Sequence, residues 1–241
     1  MQLSDCTFTV DGEVLQATEA LPDAPERPET VIIMHGAGNG SRARNLPLVE
    51  DFARAGHRAL AFDFSGHGDS TGTLGALSLE RRFVQAHHVV REFADTGPVV
   101  LVGFSMSGHT IADLVGALRE QVSTVVLAAP AAYAPEAWKL PFDSGFTDIL
   151  RHPNSWQRSN AYGLLADFPG RAVLVVPERD EVIPPGVTFR IENALRQRTD
   201  FTRLTFPGST HKLGLWLAEH PEDRAHLIRT VLAGLPSATG R

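Results

Sequence analysis

A chain of 241 residues, 43% hydrophobic and 21% charged, has the size and balance to bury one large core, since α/β folds often run past about 200 residues undivided. Its 22 Lys and Arg against 28 Asp and Glu leave a net charge of −6, which argues against nucleic acid or an anionic membrane surface as the main partner. A lone cysteine, Cys6, excludes an intramolecular disulfide and a cysteine-built metal cage. Met1–Asp5 lacks a basic segment followed by an apolar run, and no apolar stretch approaches the roughly 20 residues of a membrane span, so a cytoplasmic protein is expected.

Two strands, 3–10 and 13–17, flank the turn Asp11-Gly12, which is a hairpin signal. Pro22 to Pro28 reads as a surface loop. Thr30–Met34 is the first apolar strand and ends at His35-Gly36-Ala37-Gly38-Asn39-Gly40. An amphipathic helix through Leu46, Val49, Phe52 and Ala53 closes at Gly56. A strand over 58–62 leads into Asp63-Phe64-Ser65-Gly66-His67-Gly68-Asp69-Ser70, and a longer helix covers 79–94 with Phe83, Val90 and Phe93 inward. Beyond residue 124 come a strand to 128, an irregular stretch over 130–168, a strand over 172–176, a helix over 187–196, a strand over 202–206, a final helix near 222–233 and a frayed tail over 235–241. This alternation predicts an α/β fold: one domain over 1–241 with a mostly parallel central sheet of about eight strands and helices on both faces.

Val99-Val100-Leu101-Val102-Gly103-Phe104-Ser105-Met106-Ser107-Gly108 carries the first chemical signal. A strand apolar on both faces stops at a glycine, and a helix pattern through Ile111–Leu118 follows. Small residues two before and two after Ser105 let the backbone turn tightly enough to lift its hydroxyl clear of the sheet, the geometry of a nucleophile elbow. The second small residue is Ser107 where glycine is usual, so Ser107 is itself a rival nucleophile. A serine hydroxyl is weak without a base, and the base needs an orienting acid. Pro177-Glu178-Arg179-Asp180-Glu181-Val182-Ile183-Pro184 follows one late strand, and Pro207-Gly208-Ser209-Thr210-His211 follows the next. Both loops leave the sheet at the edge where Ser105 sits.

With these motifs in this order, nearly the whole chain resembles the α/β-hydrolase superfamily. His35-Gly36-Ala37 is similar to its oxyanion loop, Asp63–Ser70 to its Asp-x-x-Gly-x-Gly-x-Ser turn, Asp180–Pro184 to its acid loop and Gly208–His211 to its histidine loop. The resemblance implies Ser105 as nucleophile, His211 as general base and then acid, and Asp180 as the orienting carboxylate, with Glu178 and Glu181 as rivals for that last role. It also implies an oxyanion hole from the backbone N–H groups of Ala37 and Met106. His35 and His67 are expected to shape their loops rather than titrate in catalysis.

In this superfamily an insertion after the sixth strand commonly caps the nucleophile, and 130–168 is expected to be a small cap. It holds Tyr133, Trp138, Phe142, Phe146 and Trp156, which would wall an apolar acyl or alcohol site or simply pin the cap down. The expected activity is hydrolysis of a carboxylic ester or thioester in a small molecule through an acyl-enzyme. Acyl transfer or cyclisation, amide or carbon–carbon cleavage with the same triad, and a non-catalytic binder are the alternatives. A dinucleotide site at Gly36–Gly40 has the wrong glycine spacing. His87 and His88 are adjacent and point to different helix faces, and no His-Glu-x-x-His spacing occurs, so neither metal nor cofactor is expected. A monomer or homodimer is anticipated.

Overall fold

The computed structural model describes residues 1–23, 27–197 and 200–235. The loop expected over 22–28 therefore falls partly, and the tail beyond 235 entirely, outside the described residues. Eight strands form one sheet in the order β1-β2-β4-β3-β5-β6-β7-β8. They span β1 Gln2–Val10, β2 Glu13–Leu21, β3 Thr30–Met34, β4 Ala59–Phe62, β5 Val99–Phe104, β6 Val122–Ala128, β7 Arg171–Val175 and β8 Asp200–Leu204. Only the pairings of β2 with β1 and with β4 are antiparallel; from β4 to β8 the sheet is parallel. Among the described residues eight α-helices accompany it: α1 Leu46–Arg54, α2 Leu79–Ala94, α3 Ser107–Leu118, α4 Phe146–Arg151, α5 Ala161–Ala166, α6 Pro185–Leu195, α7 Leu213–Glu219 and α8 Pro221–Leu232.

Side chains alternate across a strand, so a strand covered on both faces must be apolar throughout. In β5, Val99 and Leu101 join the core under α2, α3, α5 and α6, whereas Val100, Val102 and Phe104 join the core under α1, α7 and α8. That is the physical reason for the unbroken apolar run. At the antiparallel edge the constraint relaxes, and β1 is mostly exposed.

The inward stripe of α2 differs from the expectation: Leu79, Arg82, Gln85, Ala86, Val89, Val90 and Phe93 are buried, while Phe83 is only partly covered. Ser78 caps this helix, its hydroxyl accepting from the Arg81 N–H at 3.1 Å. Helix α7 was not anticipated; Leu213 and Leu217, one turn apart, bury its inner face.

Between β6 and β7 the chain makes a short 3-10 turn at Pro135–Ala137, then α4, a second 3-10 turn at Ser155–Arg158, and α5. Backbone hydrogen bonds stitch the first half of this segment to the chain ahead of and into α2: Glu80 N–H to Trp138 O at 2.9 Å, Phe142 N–H to Leu77 O at 2.9 Å and Asp143 N–H to Gly75 O at 3.2 Å.

Leu101 lies mid-sheet with no exposed surface. Leu101→Ala is expected to lower unfolding free energy by about 2–5 kcal/mol, read as a lower urea midpoint at unchanged m-value.

Candidate active site

The turn from β5 into α3 places Ser105 at φ 51°, a left-handed backbone that serine seldom adopts. A Cβ on Gly103 would meet Ile111 Cδ1 at 2.6 Å and Ser107 O at 3.0 Å, so only glycine lets the strand run so close under the first turn of α3. The helix begins at Ser107 rather than near Ile111.

His211, on the loop after β8, has its Nε2 3.0 Å from Ser105 Oγ and its Nδ1 3.1 Å from Asp180 Oδ2. Asp180 is aimed by its own loop: its Oδ1 accepts the N–H groups of Val182 and Ile183, each at 2.9 Å, which leaves Oδ2 for the imidazole. Glu178 is engaged elsewhere, accepting the Gly208 N–H at 2.5 Å and so joining the acid and histidine loops. Ser209 strengthens the same junction, its Oγ accepting from Glu178 N–H at 3.1 Å and donating to Phe206 O at 2.6 Å. Glu181 points to solvent. A hydroxyl, an imidazole and a carboxylate in this relay can pass a proton from the hydroxyl to the ring while the carboxylate holds the other ring N–H.

Gly36 packs against the elbow; a Cβ there would lie 3.2 Å from Ser105 Cβ. Neither the Ala37 nor the Met106 N–H is taken by an acceptor among the described residues. His35 shapes this loop: its Nδ1 lies 2.6 Å from Gly36 O and its Nε2 accepts from Phe64 N–H at 3.1 Å. Burial, then the charges of Arg82 and His67, hold its pKa well below the ordinary histidine range, so it stays neutral.

Ser107 is fully buried and faces away from the relay, donating to His35 O at 2.6 Å. Arg82, also fully buried, closes the triangle: its Nη2 donates to His35 O at 2.9 Å and to Ser107 Oγ at 2.8 Å. Its guanidinium stacks 3.7 Å above the Phe64 ring, and burial lowers its pKa to about 9. The serine in place of the usual glycine is thus the acceptor that a buried cation uses to fasten the elbow to the oxyanion-type loop. Nothing in the sequence signals it, because an arginine on an amphipathic helix reads as surface.

The second turn of the sequence, Asp63–Ser70, folds around a buried carboxylate. Asp63 accepts from the Arg42 backbone N–H at 2.6 Å and from the Arg42 side chain, and the Ser70 hydroxyl donates to Asp63 O at 2.7 Å. Asp63 approaches so closely that a Cβ on Gly68 would meet it at 2.1 Å.

Ser105 and His211 open into a cavity of about 380 Å³, walled by the loop from Gly36 to Gly40, the end of the Arg42–Asn45 turn, Val182 and the start of α7. None of the five aromatics expected to contact substrate lines it. Phe142 and Phe146 pack with Met106, Leu79 and Ala137. Trp156 lies over α6, where a Cβ on Gly186 would meet it at 2.4 Å. Tyr133 and Trp138 border a different cavity, of about 760 Å³, together with His109 and Asp113. Burial drives His109 down to about 4 and Asp113 up to about 7. Among the described residues no three His, Cys, Asp or Glu side chains gather so as to hold a metal ion, and no helix is long and apolar enough to cross a membrane.

A parallel sheet carrying this elbow and these two loops at one edge defines an α/β hydrolase, and comparison with known proteins narrows it. The family model described as serine aminopeptidase, S33, matches residues 25–153, and the chain belongs to that hydrolase family. Among curated proteins it is similar to the human protein named "Putative protein-lysine deacylase ABHD14B", at 31% identity over 52% of this chain and 60% of the relative. It is also similar to the 2-hydroxy-6-oxononadienedioate/2-hydroxy-6-oxononatrienedioate hydrolase of Escherichia coli K12, at 31% identity over 44% of this chain and 37% of the relative. The matches thus span less than two thirds of these relatives' lengths. Among solved structures, the thioesterase domain from the curacin biosynthetic pathway superposes with a TM-score of 0.73 at 14% identity, covering 97% of this chain and all (100%) of that one; this likeness is one of fold.

Two outcomes follow from the buried groups. Ser107→Gly restores the usual small residue but strips Arg82 of an acceptor, and is expected to cost about 1–3 kcal/mol in urea unfolding. Asp113 has a folded pKa raised to about 7, so its contribution is intact below the unfolded value of about 4 and is lost as pH rises through 7. Asp113→Asn is therefore expected to gain thermal stability over the wild type as pH climbs from 4 to 8; a difference flat in pH would contradict this.

Proposed function

We propose that the protein is a serine hydrolase that cleaves a carboxylic ester or thioester through an acyl-enzyme on Ser105. The observation that carries this reading is the unbroken relay from Ser105 Oγ through both ring nitrogens of His211 to Asp180. In this mechanism His211 Nε2 takes the Ser105 proton as Oγ adds to the substrate carbonyl. The resulting oxyanion is held by the N–H groups of Ala37 and Met106, donors of a kind worth on the order of 3 kcal/mol each in the transition state. Collapse breaks the bond to the leaving alcohol or thiol, which departs with the proton from His211 Nε2. Water then adds to the acyl carbonyl with His211 again as base, and the acid is released with Ser105 regenerated.

The segment 130–168 is in this reading a small cap insertion that leaves none of its aromatics at the nucleophile's cavity. Its Tyr133, Phe142 and Phe146 pack against one another and beside Met106, so these aromatics bound the site from behind rather than lining the space at Ser105.

A second reading keeps the same residues and changes the leaving group. The relatives named as a deacylase and as a carbon–carbon hydrolase make an amide or a carbon leaving group the alternative. In either case His211 would protonate a nitrogen or a carbon in place of an oxygen or sulfur.

Treatment with a fluorophosphonate, located by peptide mass spectrometry, and turnover of short p-nitrophenyl esters test the proposal. The adduct is expected on Ser105 and should vanish in Ser105→Ala and His211→Ala, with kcat falling by about 10⁴–10⁶. An adduct on Ser107, or no adduct on folded protein, would overturn it.

A further inference from the structure

The cavity at Ser105 is furnished with donors and positive charge. Arg44 and Lys212 both line it, one at the end of the turn before α1 and one directly after His211. Both are exposed, and neither forms an ion pair or side-chain hydrogen bond among the described residues; Arg27, Arg119, Arg151, Arg179 and Arg229 also lack such partners there, but none of them lines this cavity. Among the lining residues there is no Asp or Glu, in a chain whose net charge is −6. The charge of Arg44 reaches the loop beside Ser105: after burial, Arg82 and His67, it is among the influences that lower the pKa of His35.

Two unpaired cations, with no acid among the lining residues, are the complement of a carboxylate. The volume, about 380 Å³, lies toward the small end of ligand pockets and suits a compact acid rather than a nucleotide-bearing thioester.

We infer that the substrate carries a carboxylate a few bonds from the scissile carbonyl, received by Arg44 and Lys212, so that the protein acts on small anionic esters such as half-esters of dicarboxylic acids. This rests on the hydrolase reading and specifies its substrate class. Asp180, the acid paired with His211, does not itself line the cavity.

The test compares charged esters with neutral isosteres. One pair, the p-nitrophenyl half-ester of glutarate and p-nitrophenyl valerate, places the carboxylate on the acyl side. The other, 4-carboxyphenyl and 4-carbamoylphenyl butyrate, places it on the leaving group. In at least one pair the charged member is expected to exceed the neutral one in kcat/KM by about tenfold at low salt, the scale of two exposed ion pairs acting together. That ratio should shrink as salt is added and approach unity in the Arg44→Gln, Lys212→Gln double variant, while Lys139→Gln, remote from the cavity, keeps it. Charged-to-neutral ratios at or below unity in both pairs, or a preference indifferent to the double variant, would overturn the inference. If no ester turns over, the hydrolase reading has failed, and the anion site is read separately by calorimetric titration of Ser105→Ala with monoethyl glutarate and ethyl glutaramate. Preferential binding of the monoethyl glutarate anion sustains the site, and equal affinity overturns it.

Discussion

Ser105 is held at a positive φ of 51°, a backbone state that costs a residue with a side chain about 1–3 kcal/mol and persists only where its surroundings over-determine it. Here they do. The Ser105 N–H donates to Ala128 O at 2.9 Å, and its carbonyl accepts from Gly108 N–H and Ala131 N–H, both at 2.9 Å. One peptide plane on each side is thereby tied to β6, to the first turn of α3 and to the segment leaving β6. The hydroxyl is consequently the one part of the residue left to face the cavity, and its position is inherited from the central strands of the sheet.

The second fastening is Arg82. A buried guanidinium with two N–H-bearing nitrogens, Nε and Nη1, unpartnered is a poor device for stability, since desolvation opposes whatever its bonds return. Its value is positional. Nη2 spans from the carbonyl of His35 to the hydroxyl of Ser107, so the loop carrying the Ala37 N–H and the turn carrying the Met106 N–H share one anchor. In the proposed mechanism these two donors converge on one oxygen atom, and such a pair gains from a shared anchor.

Most of the sheet was legible because burial on both faces forces long apolar runs, and these also fix where each loop begins. The strand ends placed the two late loops, and the family resemblance then singled out Asp180 and His211 within them, with Glu178 and Glu181 as rivals for the acid. What escaped was set by tertiary contact. Arg82 was hidden because its charge outweighs its place on the inner stripe of α2. Helix α7 is one short amphipathic stretch with a glycine at Gly214, and it stands only by burying Leu213 and Leu217. The aromatics over 130–168 announced a compact cluster, but composition cannot say which side of Met106 they occupy. Most pack into cores; Tyr133 and Trp138 border a separate cavity.

The hydrogen bond between His211 and Ser105 joins residues 106 positions apart, across a parallel sheet whose strands cannot pair until their crossovers close. Parallel, non-local topologies assemble slowly. During synthesis the elbow, the loop at Gly36 and the turn around Asp63 are all made before the strand that delivers the imidazole. The serine therefore emerges from the ribosome ahead of its imidazole partner, and the hydrogen bond between them must wait until the last strand has been made. On the proposed hydrolase reading, a chain still lacking its last strand holds the serine without its base, and the onset of activity would report that this strand has found its place.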